Sequence, residues 1–243
     1  MLGWLPEDIS TYGHHIDGLF RLIYYITLVT FVLVEGTLVW FLVRYRQRPG
    51  RAAVYTHGNT ALEITWTIIP AVILVVLGIM SNGWWKVIKT EVPPTDFHVR
   101  VTGKQFNWEI LYPGPDGKFD TPDDVQMDND LHVPVNTVIA LKLRSKDVIH
   151  SFFLPNLRFK QDMLPGREIN GWFEATKVGK YEIPCAELCG FGHSGMKGYL
   201  FVESPEEYQR WARENRVVAQ IDAHVQVARG AHSDDGTTEQ VRP

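Results

Sequence analysis

Cysteine is scarce: two residues in 243, Cys185 and Cys189, four positions apart. No disulfide can staple any other part of the chain, and no Cys-x2-Cys-His run is present to attach a haem covalently. An excess of positive charge is also missing. The formal net charge at pH 7 is -4, which argues against nucleic-acid binding. Nor is the sequence evenly apolar. Hydrophobic residues make up 45% of it, yet the mean hydropathy is only -0.12, so they must be concentrated locally. The length allows one or two domains.

The apolar residues gather in two runs. Leu19 to Val43 is long enough to cross a bilayer of about 30 Å hydrocarbon thickness as a helix. Arg21 lies near its start and can snorkel. Glu35 lies deep within it. A carboxylate at that depth is costly, and we read it as packed against another subunit rather than as part of a proton pathway. Arg44, Arg46, Arg48 and Arg51 follow around Pro49-Gly50, which places this connection on the cytoplasmic side. Ala61 to Trp85 is the second span, with Pro70 expected to kink it and Trp84 and Trp85 marking the outer interface. Two spans put the N-terminus and everything after Trp85 on the outer side. Residues 1–17 read as an ordered or interfacial lead-in, in which Trp4, Leu5 and Tyr12 suit the edge of a bilayer. The apolar run behind them is too long for the core of a cleavable signal peptide.

From Thr95 onward the pattern changes to short alternating segments. Phe97 to Thr102, Phe106 to Leu111, Thr137 to Leu143, His150 to Leu154, Gly171 to Glu174, Lys180 to Ile183 and Gly198 to Val202 read as strands. Several short strands punctuated by turns predict a sandwich or barrel. The stretch from Pro113 to Pro134 reads as an acidic, turn-rich insertion carrying Asp116, Asp120, Asp123, Asp124, Asp128 and Asp130. Clustered carboxylates can steer a basic partner. They can equally bind calcium, although no complete calcium loop is present, or form a solvated hairpin tip. Ser204-Pro205-Glu206-Glu207 opens a helix with a capping box. Residues 229–243 are polar and glycine-containing and are expected to be disordered.

Both cysteines sit in Cys185-Ala-Glu-Leu-Cys-Gly-Phe-Gly-His-Ser-Gly-Met196, a glycine-broken loop between two predicted strands. The loop offers two thiols, the His193 imidazole and the Met196 thioether. These are soft donors of the kind that select copper. Cys-x3-Cys-x3-His with one more histidine would also suit tetrahedral zinc, and the cysteines could form a short disulfide. A disulfide leaves His193 and Met196 unexplained, and zinc has little use for the thioether.

The pattern Cys-x-Glu-x-Cys-x3-His-x2-Met resembles the copper-A loop of the cytochrome c oxidase subunit II family. Val148-Ile-His150-Ser-Phe152 is similar to the family's upstream histidine segment. The run from Pro155 through Leu157, Lys160, Asp162, Pro165 and Gly166 to Arg167 is similar to the segment that follows it. Leu62-Glu63-Ile-Thr-Trp66-Thr-Ile-Ile-Pro70 resembles a Glu-x2-Trp-x3-Pro pattern at the start of the family's second span. Together these cover roughly residues 15–210.

The resemblance implies a two-helix transmembrane hairpin followed by an all-β Greek-key cupredoxin domain. It divides the chain into 1–92 (N-terminal segment and hairpin), 93–214 (copper-A domain) and 215–243 (helix end and tail). It implies a dinuclear copper centre with Cys185 and Cys189 as bridges and His150 and His193 as terminal ligands. Met196 and the Glu187 carbonyl would be weak ligands. The Glu187 carboxylate would reach a magnesium or manganese ion at the contact with the catalytic subunit, and Glu63 would lie at the mouth of a proton-uptake channel. The family often has Gln-Trp-x-Trp near the donor-docking face, with the first tryptophan as electron entry. Here the run is Gln105-Phe106-Asn107-Trp108, so Phe106 and Trp108 are the entry candidates. Asp120, Asp123, Asp124, Asp128 and Asp130 are the docking candidates.

The implied function is subunit II of a haem-copper oxidase. It would take electrons from cytochrome c and pass them to the haems of the catalytic subunit I, where oxygen becomes water. The chain would sit in a bacterial plasma membrane or a mitochondrial inner membrane, with its copper domain outside. The alternatives are the copper subunit of a nitric oxide reductase and a membrane-tethered zinc scaffold.

Overall fold

The computed structural model describes residues 5–217. They form two compact units, residues 14–91 and residues 92–217 joined by residues 5–13.

The first unit is the hairpin. Helices α1 (Gly13–Arg44) and α2 (Thr60–Trp85) are both long and apolar enough to cross a membrane. α2 starts where the Asn59 side-chain oxygen accepts from the Ala61 and Leu62 amides at 3.1 and 3.2 Å. It runs unbroken through Pro70 and ends in a π-helical turn, Lys86–Thr90. The hydroxyls of Thr27, Thr30, Thr65 and Thr67 donate to carbonyls one turn back. Their polar groups are thus satisfied within the helix, as a lipid environment requires. His15 stacks on Trp84 with ring centroids 3.4 Å apart, joining the start of α1 to the end of α2.

The second unit holds ten strands: β1 (His98–Lys104), β2 (Asn107–Tyr112), β3 (Val125–Asp128), β4 (Asp130–Pro134), β5 (Val138–Ser145), β6 (His150–Leu154), β7 (Phe159–Met163), β8 (Ile169–Glu174), β9 (Gly179–Pro184) and β10 (Lys197–Glu203). One sheet has the order β3-β2-β1-β5-β8 and another β4-β10-β9, with β6-β7 as a separate ribbon. β1 pairs with β5 in parallel, and so does β4 with β10. Parallel neighbours cannot be joined by tight hairpins, so the chain crosses between sheets. Inward-facing Val99, Trp108, Leu131, Phe152, Phe173 and Leu200 form one core between the layers. The result is the expected cupredoxin-like sandwich behind two apolar helices.

All seven expected strands are present, and three were unexpected. β3 and β4 lie inside the stretch expected to be turn-rich. Aspartates disfavour strands in isolation, but β3 gains a full antiparallel ladder on β2 and β4 a parallel one on β10. β7 carries Lys160, Gln161 and Asp162 between buried Phe159 and Met163, so its alternation is weak. The genuine insertion is residues 113–124, the tip of the β2–β3 hairpin.

Of the two readings of the lead-in, ordered or interfacial, residues 5–12 take the ordered one. Residues 5–12 pack on the β-unit. Ile9 is buried in its core, donates its amide to Asn156 O (2.9 Å) and accepts from Thr176 N (2.7 Å). Glu7 pairs with Lys177 at 2.7 Å, and Tyr12 meets Trp172 edge-on at 5.1 Å. The physical reason is that Ile9 and Tyr12 find a preformed apolar seat, which outweighs their preference for an interface. At the other end, α3 (Pro205–Glu214) starts with the expected capping box and buries Tyr208 and Ala212. The tail at 229–243 lies outside the described residues.

Candidate metal centre

The loop between β9 and β10 is closed at its base and pinned to β6. The Cys185 amide donates to Met196 O and the Ala186 amide to Ser151 O, both at 3.0 Å. Phe152 and Cys185 form an isolated bridge between β6 and the loop. Within the loop, His193 N to Gly190 O (3.1 Å) and Met196 N to His193 O (3.1 Å) make tight turns. Gly190 has φ +136°, a conformation that side-chain-bearing residues rarely adopt. This brings His150, at the start of β6, against the cysteines.

The nearest ligand atoms of His150, Cys185 and Cys189 all lie within 4.8 Å of one another, and all three residues are buried. Both cysteines are free, with sulfurs 3.9 Å apart. Around Cys185 Sγ stand His150 Nδ1 at 4.0 Å and the Glu187 carbonyl at 3.3 Å. Around Cys189 Sγ stand His193 Nδ1 at 3.6 Å and Met196 Sδ at 3.7 Å. Each thiol therefore has one imidazole and one weak donor. Burial pushes the Cys189 thiol up to about 11, and the adjacent Cys185 adds to the shift. The Cys189 thiol therefore resists ionising by itself, and a bound cation would reverse that. Two thiols, two imidazoles and a thioether, with no carboxylate among them, fit copper.

Around the donors, the His150 Nε2–H donates to Asp147 Oδ1 at 2.8 Å, and that oxygen also accepts the Val148 amide at 2.7 Å. Asp147 Oδ2 accepts the Gln105 amide at 2.8 Å, and Gln105 Nε2 donates to Cys189 O at 2.6 Å. Burial alone would raise the Asp147 carboxyl. Hydrogen bonds from Gln105, His150 and Val148 outweigh that and hold it below the usual carboxylate range. Neither Asp147 nor Gln105 is a site candidate from sequence. The one available hint was their position, three residues before His150 and one before Phe106.

Trp108 is fully buried, donates Nε1–H to Ile183 O at 3.0 Å and meets the His150 ring edge-on at 6.1 Å. Phe106 lies over the metal loop. A Cβ added at Gly192 would come within 2.5 Å of its ring, so the glycine lets the loop seat there. Phe106, Leu188 and Phe191 together leave an apolar rim, with Phe191 fully exposed.

The other candidates are spread out. The Glu187 side chain is exposed on the loop, and Glu63 is exposed in the first turn of α2. The aspartates fall into two groups. Register pairs Glu109 with Asp128 and Tyr112 with Val125. Asp128, and Asp130 beyond it, are thus at the Phe106 end of the hairpin, whereas Asp120, Asp123 and Asp124 are at its far tip. Asp123 precedes β3 by two residues and Asp128 ends it, so they are at most about 16 Å apart along the chain. At the tip, Asp120 pairs with Arg100, and Asp124 accepts from Asp120 N and from the Thr121 hydroxyl. Asp124 thus ties the tip together, and Asp120 ties it to β1.

Comparison with known proteins follows the same division. Residues 105–204 match the family described as cytochrome c oxidase subunit II, periplasmic domain, and residues 4–82 match its transmembrane domain. Cytochrome c oxidase subunit 2 of Thermostichus vulcanus is 31% identical over 271 residues, covering 89% of this chain and 80% of the relative. Alternative cytochrome c oxidase subunit 2 of Bradyrhizobium diazoefficiens is 29% identical over 254 residues, covering 95% and 91%. Among solved structures, the periplasmic domain of subunit II of cytochrome oxidase from Bradyrhizobium japonicum is 32% identical, with a TM-score of 0.47, covering 52% of this chain and 97% of that one. Matched in both its membrane-spanning and its β-sandwich parts, the chain belongs to the cytochrome c oxidase subunit II family.

Proposed function

We propose that this chain is the electron-entry subunit of a haem-copper cytochrome c oxidase and that its β-domain holds dinuclear copper. Cys185 and Cys189 would hold the metal through their thiolates, His150 and His193 through their imidazoles, and Met196 and the Glu187 carbonyl as weak donors. The observation that carries this is the pairing of donors, one imidazole and one weak donor beside each thiol. Zinc would be satisfied by the two thiolates and two imidazoles and would leave buried Met196 without a role. The bound copper supplies a one-electron couple shared over two ions. The chain's own contribution is to hold six donors on a closed loop so that they move little when charge changes, and to keep water away with buried Trp108, Phe152 and Met196. No donor position is left for substrate, so oxygen chemistry belongs to the catalytic subunit. The relatives described above are oxidase subunits, and nothing favours the nitric oxide reductase alternative.

Further assignments rest on the family pattern and on position. The domain limits remain 1–92, 93–214 and 215–243, with residues 5–12 lending structure to the second. Electrons come from cytochrome c over the apolar rim at Phe106, with Trp108 behind it against His150, and leave to the haems of subunit I. The exposed Glu187 carboxylate is a hard oxygen donor suited to magnesium or manganese at the subunit I contact. Glu63 lies at the cytoplasmic start of α2, suited to the mouth of a proton-uptake channel. The arginines between the helices set the loop on the cytoplasmic side and the copper domain on the outer side of a bacterial plasma membrane or mitochondrial inner membrane.

The test is copper loading of the full chain in detergent. Two coppers per chain and an EPR spectrum with one unpaired spin split by two equivalent copper nuclei are expected. One copper per chain with a single-nucleus spectrum, or preference for zinc over copper, would overturn the reading.

A further inference from the structure

The metal donors come from two segments far apart in sequence, His150 on β6 and Cys185 to Met196 between β9 and β10. Backbone pairing through Phe152 and Cys185 aligns these segments but fixes neither the rotation of the His150 ring nor the direction of the Cys189 peptide. A side-chain chain of hydrogen bonds does both. His150 Nε2–H donates to Asp147 Oδ1 (2.8 Å), the Gln105 amide donates to Asp147 Oδ2 (2.8 Å), and Gln105 Nε2 donates to Cys189 O (2.6 Å). The Val148 amide, at 2.7 Å from Asp147 Oδ1, holds the carboxylate itself in place.

We propose that Asp147 and Gln105 are positioning residues forming a brace between the two ligand segments, Asp147 setting the tautomer and rotation of His150 and Gln105 setting the Cys189 peptide. A carboxylate on Nε2 makes that nitrogen the protonated one. Nδ1 keeps its lone pair, and Nδ1 is the nitrogen that faces Cys185 Sγ at 4.0 Å. The Cγ–Cδ2 edge of the ring is closed by shape. A Cβ at Gly103 would lie 2.9 Å from His150 Cδ2, and Trp108 meets the ring edge-on. The ring is therefore held by close packing along its Cγ–Cδ2 edge and by a hydrogen bond at Nε2. Asp147 is partly exposed, so the brace stands between the buried ligand and solvent. An imidazole that donates to a carboxylate is the stronger metal donor and stabilises the oxidised metal.

The inference rests on the copper reading of the donor set, so the experiment has one arm that needs no metal. In the metal-free full chain with 15N-labelled histidine, the His150 Nε2–H should be a protected, slowly exchanging NMR signal, assigned by its loss in His150→Asn. Asp147→Ala should lose that protection. Asp147→Asn, which still offers an oxygen to Nε2–H, should keep it.

In the copper-loaded chain, Asp147→Ala should raise the reduction potential, change the EPR coupling of one histidine and weaken copper retention against a chelator by about tenfold to hundredfold. Asp147→Asn should keep the histidine coupling while raising the potential through loss of charge. Gln105→Leu should weaken retention without altering the Nε2–H signal. Unchanged protection and unchanged histidine coupling in Asp147→Ala would overturn the brace. If that variant fails to fold, Asp147→Leu, which fills the space but offers no acceptor, takes its place, and unchanged Nε2–H protection in it would overturn the brace instead. A wild-type chain that binds no copper pair would sink the copper reading alone, because the metal-free arm would still report on the brace.

Discussion

In the hairpin, Leu42, Leu74 and Ile79 expose 65, 69 and 70% of their surface, whereas in the β-unit Ile110, Leu131 and Leu200 expose none. The residue types are alike, and what differs is where their burial comes from. Hairpin residues need lipid or another subunit, and their hydrogen bonds are closed within single helices. β-unit residues are buried by other parts of the same chain. Burying such a side chain contributes about 1.5–3 kcal/mol. The β-unit therefore encodes its own tertiary structure, while the hairpin encodes helices and leaves their packing to the surroundings. A metal centre that must keep its donors fixed belongs in the first kind of region.

The largest expected effect breaks the centre while sparing the fold around it. Cys185→Ser or Cys189→Ser should abolish the two-copper EPR signature, since a serine oxygen is a hard, poorly bridging donor. Met196→Leu, which keeps the apolar volume, should retain copper and shift the potential. The check is copper content with EPR and redox titration of the purified chain. Equal copper loss in all three variants would contradict the assigned roles.

Next comes the contrast in burial itself. Leu131→Ala should cost the β-unit about 2–5 kcal/mol, seen as a lower thermal midpoint in detergent. Leu42→Ala should leave that midpoint within the scatter of surface substitutions, about 0.5 kcal/mol. Ile9→Ala sharpens the comparison. It precedes the first helix in sequence but should behave like a core residue, with a cost of about 2–5 kcal/mol. A midpoint unaffected by Ile9→Ala would return residues 5–12 to the status of a lead-in.

The contrast also explains what could be read in advance. The helices announce themselves as unbroken apolar runs, and seven strands as alternation. The donor loop was legible because four donors fall within one short stretch. The seat of Ile9 was not, because it depends on Asn156 and Thr176, far along the chain. β3 and β4 were hidden because their support comes from β2 and β10 rather than from their own residues. Asp147 and Gln105 were missed as well. The bonds of Gln105 join it to residues 42 and 84 positions away, and a lone aspartate three residues before a histidine is too common a pattern to stand out. The aspartates show the converse. Sequence proximity grouped five of them, and the β2–β3 register separates them.

A smaller effect concerns Glu109, held by Lys104 and Lys146, each at 2.6 Å. Burial alone would raise its carboxyl, but the two lysines outweigh that and hold it below the ordinary 4.5. Its contribution is therefore fully present above that value and is lost as pH falls through the lower folded one. Glu109→Gln should lower stability by at most about 1 kcal/mol at neutral pH and not at all in strong acid. Denaturant unfolding at several pH values would show the two proteins converging as pH falls. A constant gap would mean that packing, rather than charge, is what the substitution removed.

The smallest expected effect lies on the surface of the β-unit, at the two ends of one hairpin. Asp128 is at the Phe106 end and Asp123 in the turn at the far tip, at most about 16 Å away along the chain. Charges screen one another over about 8 Å at physiological salt. A basic cytochrome c approaching the apolar rim would thus feel Asp128 more than Asp123. Asp128→Asn should slow electron entry by roughly twofold at low salt and less at high salt, while Asp123→Asn should do little at either. Phe106→Trp acts after docking, on the transfer step, so its effect should persist at high salt. Stopped-flow reduction of the copper-loaded chain across a salt series separates the three. If Asp123→Asn slows entry as much as Asp128→Asn, the whole hairpin acts as a diffuse negative field and the register has no bearing on docking. If none of the three variants changes the rate at any salt, the donor approaches another face, and the rim at Phe106, Leu188 and Phe191 serves contact with the catalytic subunit instead.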